Sequence, residues 1–420
     1  MVIPEGYKQT EIGVIPKDWE VKVIGEFTGA TAGGTPSTSH PEYWNGNIPW
    51  MSSGELNNRR ICDVIGRITS EGYKNSSTHL LPRDCVLMGL AGQGKTRGTV
   101  AINYIELCTN QSIAAIFPSN EHNTEYLYQT LQNRYEELRE LSSGDGGRGG
   151  LNLKIIKNLR CAFPSLVEQE HIANALLDVD SMIFSLEKLI EKKKAIKQGA
   201  MQELLTGKRR VYGFNGKWKS IKLEQYCSLI TKQTGFDYSA YIKPALTKHR
   251  SDDTLPMIQT INFRGKKFDF NTDYYIPKNV AENFPNIILK SKCVLFSIVG
   301  ASVGNIGLYP GGTSFCGGAI GITKFFDEDD ADWVYYYMSS SEGQSQIQFV
   351  TKGGAQATVT ISDIRSFLIP TPPKEERMVI TSILSDMDNE IDALEQKLKK
   401  ARQLKQGMMQ QLLTGKIRLI

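Results

Sequence analysis

The feature that most constrains this 420-residue chain is an internal repeat. The segment Leu186–Arg210 returns as Leu394–Arg418, an offset of 208 residues. Without a gap the match covers residues 164–211, where 21 of 48 positions are identical to their partners. A match over so long a stretch indicates a tandem duplication. The chain must therefore fold as two related halves, each a variable block followed by a repeated segment.

Fainter matches with the same offset extend the repeat into the variable blocks. They are Cys85-Val86-Leu87 with Cys293-Val294-Leu295, Gly92 with Gly300, and Cys108 with Cys316. We predict four segments from this pattern. They are a first domain over 1–163, a central helix over 164–210, a second domain over 211–370 and a distal helix over 371–420.

The repeated segments have the apolar spacing of a coiled coil. Apolar residues recur at alternating intervals of four and three, which keeps one stripe facing a partner helix. The predicted pairing residues are Ile172, Leu176, Val179, Ile183, Leu186 and Ile190, with Ile380, Leu384, Met387, Ile391, Leu394 and Leu398. In the alternative, each amphipathic helix packs on its own globular domain. The length of the stripe and its recurrence favour two helices that pack on each other.

The distribution of charge predicts the orientation of these helices. From Glu168 to Glu187 the central helix carries five acidic residues and no Lys or Arg, and from Lys188 to Arg210 it carries eight basic residues and two acidic ones. The distal helix repeats this acidic-then-basic order. Parallel helices would place like charges side by side, whereas antiparallel helices place acidic halves beside basic halves. We therefore predict an antiparallel pair about 60 Å long.

The variable blocks are rich in Gly, Asn, Ser, Thr and aromatic residues and contain short β-like runs. The predicted strands are Cys85–Met88, Ser112–Phe117, Cys293–Val299 and Ala319–Phe325. Residues Glu125–Leu141 and Asp332–Phe349 are each predicted to form a single helix. Each block ends in a glycine-rich turn, at 143–150 and 352–355. The fold class that follows is α+β, with two small domains joined by the antiparallel helices in a pseudo-two-fold repeat.

Residues 89–96 match the P-loop pattern G-x-x-x-x-G-K-[ST]. A P-loop must open a helix whose amides hold the phosphates. The following residues, Arg97–Ile102, are instead β-branched with an internal glycine, and the equivalent segment 297–304 has no lysine. We therefore predict a glycine-rich β-loop here, and a nucleotide-hydrolysing enzyme is the less favoured alternative.

Other features exclude several classes of protein. The five histidines have no metal-ligand spacing, and no G-x-S-x-G motif occurs. The seven cysteines stand singly, which is typical of reduced thiols in the cytoplasm. No stretch approaches the roughly 18 apolar residues of a membrane span. The net charge of +4 excludes a chain-wide basic coat, so any nucleic-acid surface must be local. A binding protein without a metal or cofactor of its own is the expected class.

Several motifs resemble those of the specificity subunits of type I restriction–modification enzymes. Residues 8–21 are similar to the N-terminal signature of that family, and residues 33–37, 43–46 and 48–50 are similar to motifs that open its target recognition domains. The two repeated segments resemble its central and distal conserved regions. The distal copy departs from the pattern with Glu375-Glu376-Arg377, where Glu-Gln is usual. The resemblance covers the whole chain.

The resemblance implies a non-catalytic subunit with two target recognition domains. Each domain would read one half of a split, asymmetric sequence in double-stranded DNA, and the helices would fix the spacer. The implied partners are two modification subunits, which bind S-adenosylmethionine, methylate adenine and dock on the helices, and restriction subunits driven by ATP and Mg. The near-neutral charge suits a reader that works inside such a complex. The chain alone should therefore bind DNA weakly at about 150 mM salt.

Base-reading candidates follow from side-chain chemistry, because Arg and Lys suit guanine whereas Asn and Gln suit adenine. In the first domain the predicted DNA-binding residues are Thr35, Ser37, Asn57, Asn58, Arg59, Arg60, Lys74, Gln93, Lys95 and Arg97. In the second they are Lys232, Gln233, Lys248, Arg250, Gln259, Asn262, Arg264, Lys266 and Lys267. The alternative for each is a solvated loop residue. The main rival for the whole chain is a coiled-coil adaptor whose end domains bind protein, which would not need polar glycine-rich loops in both blocks.

Overall fold

The computed structural model describes residues 3–92, 96–141, 150–351 and 357–419. The chain forms two compact units. Unit 1 consists of Met1–Glu187 and Gln396–Ile420, and unit 2 consists of Lys188–Glu395. Each unit therefore contains one variable block, the first half of one long helix and the second half of the other.

Unit 1 is an α+β domain with a helix pair. Its strands are β1 Tyr7–Thr10, β2 Gly13–Pro16, β3 Glu20–Val23, β4 Ala30–Ala32, β5 Trp44–Met51, β6 Arg60–Ile61, β7 Gly66–Ile68, β8 Val86–Gly89, β9 Val100–Asn103, β10 Cys108–Thr109, β11 Ile113–Ile116 and β12 Arg160–Phe163. Its helices are α1 Ile24–Phe27, α2 Ser70–Lys74, α3 Thr124–Asn133, α4 Tyr135–Leu141, α5 Leu153–Lys157 and the first part of α6 Leu166–Leu204. The main sheet has the order β4-β11-β8-β9-β6, and a smaller sheet has the order β10-β5-β7.

Unit 2 repeats this arrangement. Its strands are β13 Lys219–Lys222, β14 Cys227–Lys232, β15 Thr254–Ile258, β16 Phe263–Arg264, β17 Lys267–Phe268, β18 Tyr275–Pro277, β19 Ile288–Leu289, β20 Cys293–Ser297, β21 Ile306–Tyr309, β22 Ser314–Cys316, β23 Ile320–Phe325 and β24 Leu368–Thr371. Its helices are α7 Gly235–Asp237, α8 Lys243–Ala245, α9 Lys278–Ala281, α10 Asp329–Ser339, α11 Ser341–Val350, α12 Ile361–Ser366 and the first part of α13 Lys374–Leu412, with a π-helix at Tyr238–Ile242. The main sheet has the order β14-β23-β20-β21, and the second sheet has the order β18-β15-β22-β19.

Mostly apolar, buried strands form the centre of each main sheet. In unit 1, β8 and β11 pair antiparallel with Leu87 opposite Ala115, and every residue of both strands is buried. In unit 2, β20 and β23 pair antiparallel with Leu295 opposite Ile322. A strand that is buried on both faces is a continuous apolar run, and for this reason the sequence pattern identifies these strands.

The prediction of single helices at Glu125–Leu141 and Asp332–Phe349 is wrong, because each segment forms two helices. In unit 2 the break falls at Ser340, which has extended backbone angles and accepts a hydrogen bond from the Gly343 amide at 3.3 Å. A serine that caps a new helix interrupts the preceding one. In unit 1 the break falls at Arg134, whose ψ of 18° leaves the helical range.

The long helices run antiparallel within each unit, as predicted. In unit 1 Asp180 of α6 pairs with Lys405 of α13, and Glu187, seven residues later, pairs with Arg402. The residue numbers of the paired side chains thus rise along one helix and fall along the other, as in an antiparallel pair. Unit 2 shows the same order, because Lys193 pairs with Glu390 whereas Lys197 pairs with Asp388.

The apolar stripe lies at these helix contacts. In unit 1 Ile172 and Leu176 are fully buried in a cluster with Met409 and Leu412. The equivalent residues of unit 2, Ile380 and Leu384, are fully buried in a cluster with Leu204 and Leu205. The other predicted pairing residues, Val179, Ile183, Leu186, Ile190, Met387, Ile391, Leu394 and Leu398, are buried or half-buried.

The segment that matches the P-loop pattern begins at Gly89, the last residue of β8. Gln93, Gly94 and Lys95 lie outside the described residues, as do 142–149 and 352–356, which hold nearly all of the two glycine-rich turns. The described residues 96–103 form a turn and then β9, which pairs antiparallel with β8. A strand therefore stands where a nucleotide-binding loop needs a helix. Across the described ranges, no helix is both long and apolar enough to span a membrane.

Candidate nucleic-acid interface

Each long helix ends in the sequence Leu-Leu-Thr-Gly, which turns the chain back on itself. Gly207 and Gly415 have positive φ angles of 71° and 67°, which glycine adopts without steric cost. The amides of Arg209 and Ile417 then bond to the carbonyls of Glu203 and Gln411, six residues earlier, and so satisfy acceptors at the end of each helix. This turn places an arginine, three residues after each glycine, beside the start of the opposite helix.

In unit 1 that arginine completes a buried triad, which we call the helix-end triad. Arg418 donates to both oxygens of Glu168, at 2.5 and 2.8 Å, and also to Asp18. The indole Nε1 of Trp19 donates to Glu168 Oε2 at 2.9 Å. Glu168 is 1% exposed and Trp19 is fully buried. Burying a carboxylate is costly unless it is paired and hydrogen-bonded, and both conditions are met here.

Unit 2 has an equivalent helix-end triad. Arg210 donates to both oxygens of Glu376, at 2.8 and 2.7 Å, and Trp218 Nε1 donates to Glu376 Oε2 at 3.1 Å. Burial raises the pKa of Glu376, but the hydrogen bonds from Arg210 and Trp218 together lower it below its usual value. In both units the triad attaches the residue just before a strand, β3 in unit 1 and β13 in unit 2, to the end of the helix pair.

A second attachment, which we call the mid-helix junction, lies further along the helices of unit 1. Asp180 pairs with Lys405 of the opposite helix at 2.7 Å and accepts a hydrogen bond from Gln129 of α3 at 2.8 Å. Arg60 of β6 lies 3.7 Å from Asp180 and 4.5 Å from the centre of the Tyr128 ring. Burial raises the pKa of Tyr128 to about 12, so its hydroxyl stays neutral. Three elements therefore meet at one carboxylate.

Unit 2 builds its mid-helix junction at the equivalent position. Asp388 pairs with Lys197 of the opposite helix and accepts a hydrogen bond from the Tyr336 hydroxyl at 2.8 Å. Lys266 lies 3.7 Å from Asp388 and 4.6 Å from the Tyr336 ring centre. The neighbouring Lys267 pairs with Asp392 and Glu395, each at 2.8 Å. Burial lowers the pKa of Lys266, an effect that Asp388 partly offsets.

Each junction borders an open cleft between the variable domain and the helix pair of its own unit. The cleft in unit 1 is about 590 Å³ and is lined by Asn57, Asn58, Arg59, Arg60, Tyr128, Asp180, Ile183, Phe184, Glu187, Arg402 and Lys405. The cleft in unit 2 is about 800 Å³, and its lining includes Arg264, Lys266, Lys267, Asp388 and Lys197. Four of the predicted DNA-binding residues thus line the cleft of unit 1, and three line the cleft of unit 2. In each unit they lie beside the acidic half of a long helix.

The remaining candidates fall into distinct environments. Those with exposed side chains are Thr35, Ser37, Asn57, Asn58, Arg59, Lys74, Lys232, Lys248, Arg250, Arg264 and Lys267. Gln259 and Arg97 are half-buried, and Gln93 and Lys95 lie outside the described residues. Gln233 and Asn262 are each only 6% exposed. The side chain of Asn262 accepts a hydrogen bond from the Gln259 amide and so shapes a turn inside the domain.

Ion pairing separates the exposed cations further. Arg59, Lys74, Lys232, Lys248 and Arg250 make no ion pair with any described residue, so their charges are available to a ligand. Lysine and arginine side chains of this kind bind phosphate oxygens and guanine edges. Within the same described ranges, no group of three or more His, Cys, Asp or Glu side chains is placed to hold a metal ion.

The sequence analysis did not predict the triads or the junctions, and it assigned the junction residues Arg60 and Lys266 to DNA. The signal was nevertheless present, because the 208-residue offset relates Glu168 to Glu376, Asp180 to Asp388, Lys197 to Lys405, Arg210 to Arg418 and Tyr128 to Tyr336. Apolar spacing and net charge do not reveal these contacts, because each polar residue of one segment has its partner in another segment.

The fold and the candidate interface define a class of binding protein. It has two related domains with exposed polar loops, and each domain packs on a pair of long helices. The model of the type I restriction modification DNA specificity domain matches residues 16–198 and again residues 217–403. The chain therefore belongs to this family. Its members are the non-catalytic DNA-recognition subunits of type I systems, which act on DNA together with methyltransferase and restriction subunits.

Named relatives agree over nearly the whole chain. A putative type I restriction enzyme MjaX specificity subunit from Methanocaldococcus jannaschii is 24% identical, covering 99% of this chain and 97% of the relative. The MjaVIII specificity subunit from the same organism is also 24% identical, covering 99% and 96%. The crystal structure of the type I system S subunit from M. genitalium has the same fold, with a TM-score of 0.60, 14% identity, and coverage of 94% of this chain and 96% of that one.

Proposed function

We propose that each unit reads one half of a bipartite, asymmetric DNA site, and that the helix pairs set the spacer and dock two modification subunits. The observation that carries this proposal is that the two units share their architecture and helix contacts but differ in loop chemistry. Beside the junction, unit 1 presents Asn57, Asn58 and Arg59 whereas unit 2 presents Arg264. Equal scaffolds with unequal loops suit two unequal half-sites.

The exposed cations support contact with the DNA backbone and bases. Arg59 and Lys74 in unit 1, and Lys232, Lys248 and Arg250 in unit 2, have no acidic partner among the described residues. Their small number agrees with the net charge of +4 and with a chain that needs partner subunits for tight binding. S-adenosylmethionine, ATP and Mg belong in this proposal to the partner subunits, and the assembly works where the DNA is, in the cytoplasm.

The decisive experiment maps methylated adenines made by the complex of this chain with its own modification subunits. Exchange of residues 1–163 for the corresponding block of another family member is expected to change one half of the methylated motif and leave the other half and the spacer unchanged. An unchanged motif would contradict the proposal. The adaptor alternative predicts no dependence of the motif on this chain at all.

Single substitutions resolve which cations read bases. Arg59→Ala should relax one half of the motif and Arg250→Ala the other, each by about 5- to 100-fold if the side chain contacts a base. A residue that contacts only phosphate should instead weaken binding to all sequences and reduce the salt dependence by about one counterion. Lys188→Ala is the matched control, since Lys188 is an exposed lysine that pairs with Glu191 on its own helix. It should leave both halves of the motif intact.

A further inference from the structure

The variable domain of each unit is attached to its helix pair at two places, the helix-end triad and the mid-helix junction. In unit 1 these attachments centre on Glu168 and Asp180, twelve residues apart and so about 18 Å apart along one helix. Unit 2 repeats the separation with Glu376 and Asp388. A rigid body held at one place can pivot, whereas a second attachment at a distance fixes its angle.

The two attachments differ in character. The helix-end triad is buried among apolar side chains, including Ile172, Leu176 and Leu412 in unit 1. The mid-helix junction is polar and reached by water, since the side chains of Asp180 and Asp388 are 23% and 20% exposed. Beside each junction lies an open cleft, of about 590 Å³ in unit 1 and about 800 Å³ in unit 2. Because close packing does not fill this region, polar contacts centred on the junction hold the domain there.

The junction residues form ion pairs, hydrogen bonds and ring contacts with one another. Such contacts can fix the angle between the domain and its helix pair. Arg60 pairs with Glu125 of α3 as well as with Asp180, and it stacks on Tyr128. Lys266 bonds to Ser385 at 3.2 Å in addition to its contacts with Asp388 and Tyr336. Arg60 and Lys266 are two of the side chains that sequence chemistry assigned to DNA, but their donors are directed at α3 and the helix pair.

We propose that Asp180 with Arg60, and Asp388 with Lys266, are positioning residues that fix the angle of each recognition domain on its helices and so make the complex strict about the spacer length between the half-sites. The inference rests on the proposed function. One base pair more or less moves a half-site by about 3.4 Å and turns it by about 35°. A domain held at both attachments cannot follow such a change, whereas a domain that pivots on the triad can follow part of it.

The test measures initial rates of methylation by the complex of the full chain with its modification subunits. The DNA substrates carry the correct half-sites, separated by the natural spacer or by a spacer one base pair shorter or longer. For Asp180→Asn and for Asp388→Asn, the ratio of the rate on the natural spacer to the rate on the altered spacers should fall by about fivefold or more. The half-site sequences recognised should not change.

Matched controls exist on the same helices. Asp178 and Asp386 are also repeat partners, lie two residues from the junction aspartates and are exposed. Asp178→Asn and Asp386→Asn remove the same charge and should keep the wild-type ratio. A second pair of variants distinguishes loss of the ion pair from loss of folding. Arg60→Lys retains the cation and should keep the ratio, whereas Arg60→Gln removes the cation and should lower the ratio.

The inference is overturned if Asp180→Asn and Asp388→Asn keep the wild-type ratio within about twofold, or if the control variants lower it equally. Failure of the proposed function would look different, since the wild-type complex would then show no preference for any spacer. Altered half-site sequences in the junction variants would assign Arg60 and Lys266 to base reading and also overturn the inference.

Discussion

At the mid-helix junction the two units hold their domains by the same helix residues and by different domain residues. At the mid-helix junction the aspartate and the lysine across the helix pair are identical in both units, Asp180 with Lys405 and Asp388 with Lys197. The groups that reach them from the domains are Arg60 and Gln129 in unit 1 but Lys266 and Tyr336 in unit 2. The comparison shows that the helices keep the same aspartate and lysine, while each domain contacts them with different side chains. Domain sequences can therefore diverge without a change in the scaffold.

The largest effect on stability, and a clear difference between the two units, is expected at the helix-end triads. Glu168→Ala should lower the free energy of unfolding by about 3–5 kcal/mol, because it leaves the Trp19 N–H and part of the Arg418 charge without an acceptor in a buried site. Glu376→Ala should cost less, since Trp218 is only half-buried and its N–H can regain water. Hydrogen exchange near the start of each long helix measures the two effects separately. An equal or larger loss for Glu376→Ala would show that indole burial does not decide the difference.

A pH effect of intermediate size should appear in unit 1. Burial lowers the pKa of His122 to about 4, below the unfolded value of about 6.5, so the fold favours the neutral ring. The stability from this group is fully present above pH 6.5 and is lost as the pH falls towards 4. At pH 5 the loss amounts to about 2 kcal/mol. Local hydrogen exchange around α3 at pH 7 and pH 5 measures this loss, and His122→Gln should abolish it.

Unit 2 provides the internal control for this pH effect. The partner of His122 at the 208-residue offset is Asp330, which pairs with Arg377 at 2.7 Å. Burial raises the pKa of Asp330, and Arg377 only partly offsets this. A raised carboxyl pKa contributes stability at low pH that is lost as the pH rises, so acidification does not weaken unit 2 at this position. Equal acid sensitivity around α3 and α10 would contradict the assignment to His122.

The smallest effect is expected at the exposed ion pairs. Arg402 with Glu187, and its repeat partner Lys194 with Glu395, lie on the helix surface, with the basic side chains 59% and 56% exposed. Arg402→Ala and Lys194→Ala should each change the free energy of unfolding by less than about 0.5 kcal/mol. Lys194→Ala should have the smaller effect, because Glu395 retains Lys267. Urea denaturation of the full chain tests both, and a loss above 1 kcal/mol would show that these pairs act as a network.

Much of the fold could be predicted because the relevant signals are local and repeated. The stripe from Ile172 to Ile190 and the acidic-then-basic charge order predict antiparallel helices, and this prediction is confirmed. Central strands such as β8 and β20 were found because burial on both faces produces an apolar run. The break at Ser340 was not found, because a serine within an amphipathic pattern caps a new helix only when the neighbouring packing turns the chain.

The candidate site was harder to predict than the fold. Arg60 and Lys267 have the chemistry of DNA-contacting residues, yet both pair with acids far away in sequence, Arg60 with Asp180 and Lys267 with Glu395. Asn262 has the chemistry of an adenine reader, but it is buried and shapes a turn. Residue type predicts what a side chain can bind, whereas its partner depends on long-range packing that a single sequence does not contain. The base-reading assignments therefore stay predictions.

The composition of unit 1 from two separate stretches of chain bears on how the protein is made. Residues 188–395 form unit 2 as one continuous segment, whereas unit 1 needs residues 396–420 in addition to the first 187. During translation, unit 2 has its complete set of residues while Trp19 and Glu168 still lack Arg418. Nascent chains generally fold from the N-terminus onwards, but here the second unit can close first. The first unit cannot complete its helix-end triad, or cover Ile172 and Leu176 with Met409 and Leu412, until residues 396–420 have been made.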